Sequence, residues 1–402
     1  MPKVLLLCEY ATLNGGERSM LATLAGIAVA GFQPIVAAPP QGPLAEALRQ
    51  QGIEHLPWGV SDAAGVRLPQ GRLREELAGL LARVRPDLLH ANSLSMGRLS
   101  GPVAAASGIP SIAHLRDIVR LSARAIDDLN RHTRLLAVSK AVRDFHAAGG
   151  VDPGKLHVLY NGVDLEEFRP RPASGYLHHE LGLPEGVLLA GTIGQIGLRK
   201  GQDVLVQAAL ILAGEERPRH NSGTVPVFAQ PGTDRRLVGD RPLPESVELH
   251  WLVVGERHSS KSESRQFEAG LRRAAENLAG RIHLLGYRND VPRLLNELTI
   301  LVHPARQEPL GRVLLEAAAS GVATVATDVG GTREIFAPEA AAAILAPPDD
   351  PQALAEAVLG LIADPARRAC IAAAARRRAQ AAFDIRQSVA GLVSHYRAVL
   401  EG

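Results

Sequence analysis

Short apolar runs recur along the chain, separated by longer segments in which apolar residues return every third or fourth position. The runs are Val4 to Cys8, Ile35 to Ala38, Leu88 to His90, Ser111 to His114 and Leu135 to Val138, then Val187 to Ile193, Trp251 to Val254, Ile300 to Val302 and Thr324 to Thr327. Their length and continuity predict strands buried on both faces. Between them, Ser19 to Val29 carries Met20, Leu21, Leu24 and Ile27 at helical spacing, and Leu73 to Val84 does the same before Pro86-Asp87. Strands alternating with helices predict parallel sheets covered by helices, an α/β architecture.

The alternation breaks once. Leu156 to Val163 leads into Asn161-Gly162-Val163-Asp164 and then Arg169-Pro170-Arg171-Pro172, which reads as a linker, and a second series starts at Val187. We therefore expect two domains, residues 1–168 and 169–384. A final helix with Val389, Leu392, Val393, Tyr396 and Val399 on one face follows the break at Phe383-Asp384. Residues 385–402 are thus free to pack away from the domain that precedes them. Residues 215–248, rich in proline, glycine and mixed charge, stand where a short connection belongs and read as an irregular insertion.

Composition narrows the function. The chain has 402 residues, 46% of them hydrophobic, enough for two cores. Its 44 lysines and arginines against 42 acidic residues give no electrostatic case for nucleic acid. Cys8 and Cys370 lack metal-ligand spacing and fit a reducing cytoplasm. No apolar stretch is long enough to cross a bilayer. Two arginine-rich segments, Arg116 to Arg134 and Arg367 to Arg378, read either as solvated helix faces or as a basic surface for a membrane-bound acceptor.

Candidate chemistry clusters where strands give way to helices. Asn14-Gly15-Gly16-Glu17-Arg18 follows the first strand, and a helix start there favours an anion, although a glycine pair also serves simply to turn the chain. It lacks the spacing of a dinucleotide fingerprint. His90 and His114 end neighbouring strands, which places both imidazoles at one sheet edge or within its structure. Gly194-Gln195-Ile196-Gly197-Leu198-Arg199-Lys200-Gly201 suits a diphosphate clamp with Lys200 as a point charge; the alternative is a solvated basic turn. In His303-Pro304-Ala305-Arg306-Gln307-Glu308-Pro309-Leu310-Gly311-Arg312-Val313-Leu314-Leu315-Glu316, Glu308 lies in a loop and Glu316 on an otherwise apolar helix. A buried Glu316 needs hydroxyl or N–H donors, of which a ribose is one, and the amides of Gly311, Arg312 and Val313 open that helix toward a phosphate.

In this order and spacing, Gly15-Gly16-Glu17-Arg18, Asp87 to His90, His114, Ser139-Lys140, Asn161 to Asp164, Lys200-Gly201, the Glu308/Glu316 pair and Gly330-Gly331 with Glu334 resemble retaining glycosyltransferases of family 4. The resemblance covers nearly the whole chain. It implies the GT-B fold: two Rossmann-like domains with parallel sheets facing a central cleft, the C-terminal helix crossing back to the first. It implies an acceptor-side domain at 1–168, a nucleotide-sugar domain at 169–384, and transfer of a sugar from a nucleotide-diphosphate sugar to an acceptor hydroxyl on a glycan, a lipid-linked carrier or a small molecule. The nucleotide sugar is a co-substrate; no cofactor is implied, and without a D-x-D pair no metal.

Residue by residue, the resemblance implies His114, Lys200 and Glu308 as catalytic: His114 at the transferring sugar, Lys200 on the leaving diphosphate, Glu308 on sugar hydroxyls. Gly15, Gly16, Gln195, Arg199, Gly311, Arg312, Val313 and Glu316 would bind the donor, and Glu17, His90 and Asn161 would border the acceptor. Gln195 stands where the family usually has an arginine, leaving Arg199 to substitute. Leu310 replaces a common aromatic and Ala323 a common proline. Two other readings of the same architecture remain open at this point: a nucleotide-sugar epimerase or hydrolase that needs no acceptor, and a nucleotide-sugar-binding protein without catalysis, which the missing arginine suggests. A lipid-linked acceptor would place the protein peripherally at the inner face of a membrane.

Overall fold

A computed structural model describes residues 1–62, 64–214, 247–259, 261–276, 278 and 280–401. The chain forms two compact units, Met1–Asp164 with Phe383–Gly402, and Leu165–Ala382. Apart from Val247 and Glu248, the expected insertion at 215–248 lies outside the described residues.

The first unit is built on β1 (Lys3–Leu7), β2 (Gln33–Ala38), β3 (Glu54–Pro57), β4 (Leu88–Ala91), β5 (Ser111–Leu115), β6 (Arg134–Ala137) and β7 (Leu156–Val158). They form one sheet in the order β3-β2-β1-β4-β5-β6-β7, parallel throughout. The chain builds outward from β1 in one direction, then returns to add β4 on its other side. That reversal creates a crevice at the carboxyl ends of β1 and β4, where open α/β sheets take ligands.

The second unit repeats the plan with β8 (Leu188–Ile193), β9 (Leu249–Val254), β10 (Ile282–Gly286), β11 (Ile300–His303), β12 (Thr324–Thr327) and β13 (Ile344–Ala346). Their order is β10-β9-β8-β11-β12-β13, again all parallel, so the reversal falls between β8 and β11. The buried faces of β8, β9 and β11 join the helices Gln202–Leu212 and Pro351–Ala363 in one core, including Leu205, Trp251, Ile300 and Leu354.

The strands that hydrophobic runs did not announce are the four edges. Glu54-His55-Leu56-Pro57 is nowhere buried, and β7, β10 and β13 are largely half-buried. An edge strand lacks a neighbour on one side and carries a weaker apolar signal, whereas the central strands are buried along most or all of their length.

The terminal helix Ile385–Glu401 belongs to the first unit. Leu392, Val393, Tyr396 and Val399 share a core with Val4, Leu6, Leu24 and Ile27. Its entry is fixed where Val163 N–H donates to Phe383 O at 2.8 Å and Ile385 N–H to Val163 O at 3.0 Å.

The arginine-rich segments are not simply solvated faces. Arg134 Nη1 contacts His395 Nδ1 at 3.0 Å, Arg368 Nη1 donates to Leu361 O at 2.9 Å, Arg378 Nη2 to Glu334 O at 3.1 Å, and Arg376 Nη1 to Phe168 O at 2.9 Å and Ala319 O at 2.5 Å. These guanidiniums tie elements together within their units. No described helix is long and apolar enough to cross a membrane.

Candidate active site

In the second unit the loops leaving β8 and β11 meet at the sheet's reversal point. The first closes in a single 3₁₀ turn, Leu198–Lys200, and ends at Gly201, whose φ of +65° favours glycine. A Cβ on Gly201 would lie 1.9 Å from Pro304 O in the second loop, so only glycine lets the two backbones approach this closely. Arg306 N–H then donates to Arg199 O at 2.9 Å, and the Arg306 guanidinium reaches Leu198 O at 2.8 Å and both oxygens of buried Asp203.

This clasp sets Lys200 against Glu308. The Lys200 ammonium donates to Glu308 Oε2, and His303 Nε2 contacts the same oxygen at 2.8 Å. Glu308 and His303 are buried. Burial alone would raise the Glu308 carboxyl; the Lys200 charge, then His303, holds it well below the usual carboxylate range. Burial dominates at His303 and lowers its basicity despite Glu308, so the ring is neutral at pH 7 and donates through Nε2. Among the described residues Oε1 of Glu308 receives no protein donor.

Gly311 caps the helix Arg312–Ala319 with φ +95°, and a Cβ there would meet Leu314 Cδ1 at 2.6 Å. Glu316 is buried on this helix and its partner is Arg312, whose Nε donates to Oε1 at 2.5 Å. The sequence called for hydroxyl or N–H donors to Glu316, a ribose among them; one N–H donor is supplied four residues earlier on the same helix face. Arg312 Nη1 is buried and has no partner among the described residues. Val313 is half-buried, and Gln195 and Arg199 are exposed.

In the first unit the helix Gly15–Val29 starts earlier than its apolar pattern implied, so Gly15 and Gly16 are its first residues rather than a preceding loop. Glu17, at the third position, accepts backbone N–H groups of its own residue and Asn14; burial raises its carboxyl above the usual range. This is the reciprocal half of a capping box. His90 and His114 lie one residue inside the ends of β4 and β5 and are buried. Their rings are linked, His90 Nε2 to His114 Nδ1 at 2.8 Å, and His90 Nδ1 continues to Tyr396 Oη at 2.6 Å.

Arg116, which the sequence offered only as part of a solvated helix face or a basic surface, is a half-buried hub. Its Nε and Nη2 donate to Asn92 O and Oδ1, and its Nη1 to Asn161 Oδ1, each at 2.9 Å. Asn92 Nδ2 in turn donates to Gly16 O at 3.2 Å. His90, His114, Arg116 and Asn161 border a cavity of about 10 Å³, roughly the space of one water. Thus the structure joins Lys200 to Glu308, Arg312 to Glu316, and His90 to His114 beside Asn161, while Arg116, Asn92, His303, Asp203, Arg306 and Tyr396 went unassigned. Asp203 carried a usable signal, an acid on an otherwise apolar helix, as Glu316 is on its own.

Comparison with known proteins decides the family. The model for Glycosyltransferase Family 4 matches residues 13–167 and that for Glycosyl transferases group 1 matches residues 236–364. The chain belongs to glycosyltransferase family 4. It is similar to a D-inositol 3-phosphate glycosyltransferase of Catenulispora acidiphila, 26% identical over 91% of this chain and 85% of that one. It is also similar to a D-inositol 3-phosphate glycosyltransferase of Kineococcus radiotolerans, 25% identical over 85% and 79%. Among solved structures, Anabaena HepE in complex with UDP-glucose matches with TM-score 0.79 at 21% identity, covering 99% of this chain and 100% of that one.

As a family 4 member the protein is a retaining glycosyltransferase of GT-B fold that uses a nucleotide-diphosphate-sugar donor. A transferase needs an acceptor, so the epimerase, hydrolase and binding-protein readings fall away. The two Rossmann-like units of the family 4 fold are the two parallel sheets described above.

Proposed function

We propose that the second unit binds the donor and the first receives the acceptor. The observation that carries this reading is the Lys200, Glu308 and His303 cluster at the reversal of the β8/β11 sheet. Lys200 gives one N–H to Glu308, leaving two for the leaving diphosphate, and exposed Arg199 on the same turn supplies the cation that Gln195 does not. Glu308 is held ionised, so it accepts sugar hydroxyls through Oε1 rather than delivering a proton. The amides from Gly311 to Val313 and the unpartnered Arg312 Nη1 suit phosphate or ribose oxygens beside Glu316.

Transfer breaks the bond between the anomeric carbon and the donor phosphate oxygen and forms one to the acceptor oxygen on the same face. The acceptor proton passes to a donor phosphate oxygen. In this reading Lys200 and the helix start stabilise the charge that grows on the diphosphate. His90, His114 and Asn161, with Gly15, Gly16 and Glu17, border the acceptor and the transferring sugar.

HepE was solved with UDP and UDP-glucose, which favours uracil as the donor base. A thermal-shift panel of UDP, GDP, ADP and their glucose conjugates tests this. UDP compounds at 100-fold their Kd should stabilise the protein by about 2.7 kcal/mol, and Lys200→Ala should abolish the shift. Stabilisation by GDP or ADP alone would reject uracil; an undiminished shift in Lys200→Ala would reject the clamp.

Arg120, Arg124 and Arg131 are exposed on the segment that also carries Val119, itself 45% exposed, which favours a peripheral contact with anionic lipid. No nucleic-acid partner is proposed. Flotation with phosphatidylglycerol vesicles at low salt tests the lipid contact, and protein left at the bottom of the gradient rejects it.

A further inference from the structure

Tyr396, on the terminal helix, is fully buried in the core of the first unit, with the Phe32 ring edge-on at 5.5 Å. Among the described residues its hydroxyl has one hydrogen-bond partner, His90 Nδ1 at 2.6 Å. His90 Nε2 meets His114 Nδ1 at 2.8 Å. Burial holds both rings uncharged at neutral pH, His90 down to about 3 and His114 well below the ordinary histidine range.

Each neutral imidazole carries one N–H, and each of the two contacts needs one hydrogen between its heavy atoms. Only two orders meet that requirement. In one, Tyr396 O–H donates to His90 Nδ1, His90 Nε2–H donates to His114 Nδ1, and His114 keeps its proton on Nε2. In the other, every hydrogen is reversed: His114 Nδ1–H donates to His90, His90 Nδ1–H donates to Tyr396, and the phenolic hydrogen must find another acceptor. The protein around Tyr396 offers none, so the second order strands a buried donor.

We infer that Tyr396 is a positioning residue that, through His90, fixes His114 as the Nε2–H tautomer. His114 is then a neutral hydrogen-bond donor to a substrate oxygen, a sugar hydroxyl or a phosphoryl oxygen, and not a base that removes the acceptor proton. The terminal helix thereby sets the chemistry of a residue on β5. The inference rests on the proposed place of His114 at the substrate only for its kinetic consequence; the tautomer itself stands on the hydrogen-bond chain.

The test is a long-range ¹H–¹⁵N spectrum of the full-length protein labelled at histidine, with His90→Gln and His114→Gln used for assignment. Wild type should show His114 protonated at Nε2. Tyr396→Phe, which keeps the ring, should shift His114 toward the Nδ1–H form and lower kcat/KM by about five- to tenfold, the scale of one neutral hydrogen bond. An Nδ1–H tautomer in wild type overturns the inference, as does an unchanged His114 signal in Tyr396→Phe. Should Tyr396→Phe not fold, the wild-type spectrum still decides the tautomer. Full activity in His114→Ala, with the wild-type tautomer as expected, would reject the site reading alone.

Discussion

Arg306 forks onto Asp203: Nη1 donates to Oδ1 at 2.8 Å and Nη2 to Oδ2 at 2.7 Å, and Asp203 is 1% exposed. Arg306 sits on the loop carrying Glu308, and Asp203 on the helix that follows Lys200, so one bidentate pair locks two loops at the spacing the Lys200–Glu308 contact requires. Asp203→Asn should cost about 3 kcal/mol, because it removes the buried carboxylate of the fork and leaves the half-buried guanidinium with only the exposed carboxylate of Asp349, which its Nε reaches at 2.5 Å. Arg306→Lys keeps the charge but not the fork, and should recover only part of that loss while lowering kcat. Urea melts with steady-state kinetics would show this; wild-type stability in Asp203→Asn would count against it.

In the proposed reading Lys200 serves fold and chemistry together. Lys200→Ala should lower transfer by at least about 100-fold, and should also destabilise the second unit, since the Glu308 carboxylate would keep only His303. Glu308→Gln removes that stranded charge, so the double variant should be less destabilised than the sum of the single ones. A double-mutant cycle with additive melting shifts would show the pair to be uncoupled.

Acid should unfold the protein from unusually mild pH. Burial holds His90 down to about 3 and His132 to about 4 and also lowers His303, so the folded rings stay neutral where unfolded histidine protonates, below about 6.5. The unfolded state therefore binds more protons, and stability falls as pH drops from about 6.5, by up to about 1.4 kcal/mol per pH unit for each such ring. The lowered Glu308 carboxyl adds a loss in the same direction as pH falls through its unfolded value of 4.5 toward its folded one. Melting temperature against pH would show a decline starting near 6.5; a plateau held down to 4.5 would contradict it.

Gly201→Ala should be disproportionately harmful. The added methyl would meet Pro304 O at 1.9 Å, and φ is +65°. Opening that contact moves Lys200 from Glu308, so both stability, by about 2 kcal/mol or more, and kcat should fall. Gly79→Ala, on the exposed face of the helix Gln70–Val84 where a Cβ meets nothing within 4 Å, is the control for a tolerated change.

The chain's own pattern determined the central strands and the crossover helices, because buried parallel strands must be continuously apolar and the helices between them periodic. Edge strands stayed hidden, since half-buried segments such as Glu54–Pro57 need little apolar character. The glycine pairs, Lys200, Glu308 and Glu316 stood out as candidates because chemistry proposed at a strand end needs particular residue types in a fixed order. Pairing was not. That Lys200 and His303 share one oxygen of Glu308, that Arg116 leaves its basic neighbours to clasp Asn92 and Asn161, and that Tyr396 reaches His90 across 306 positions of sequence are decisions of the tertiary structure. The physical reason is that a buried polar group must be satisfied by whatever the fold brings within about 3 Å, and sequence spacing does not record which distant strand or helix that will be.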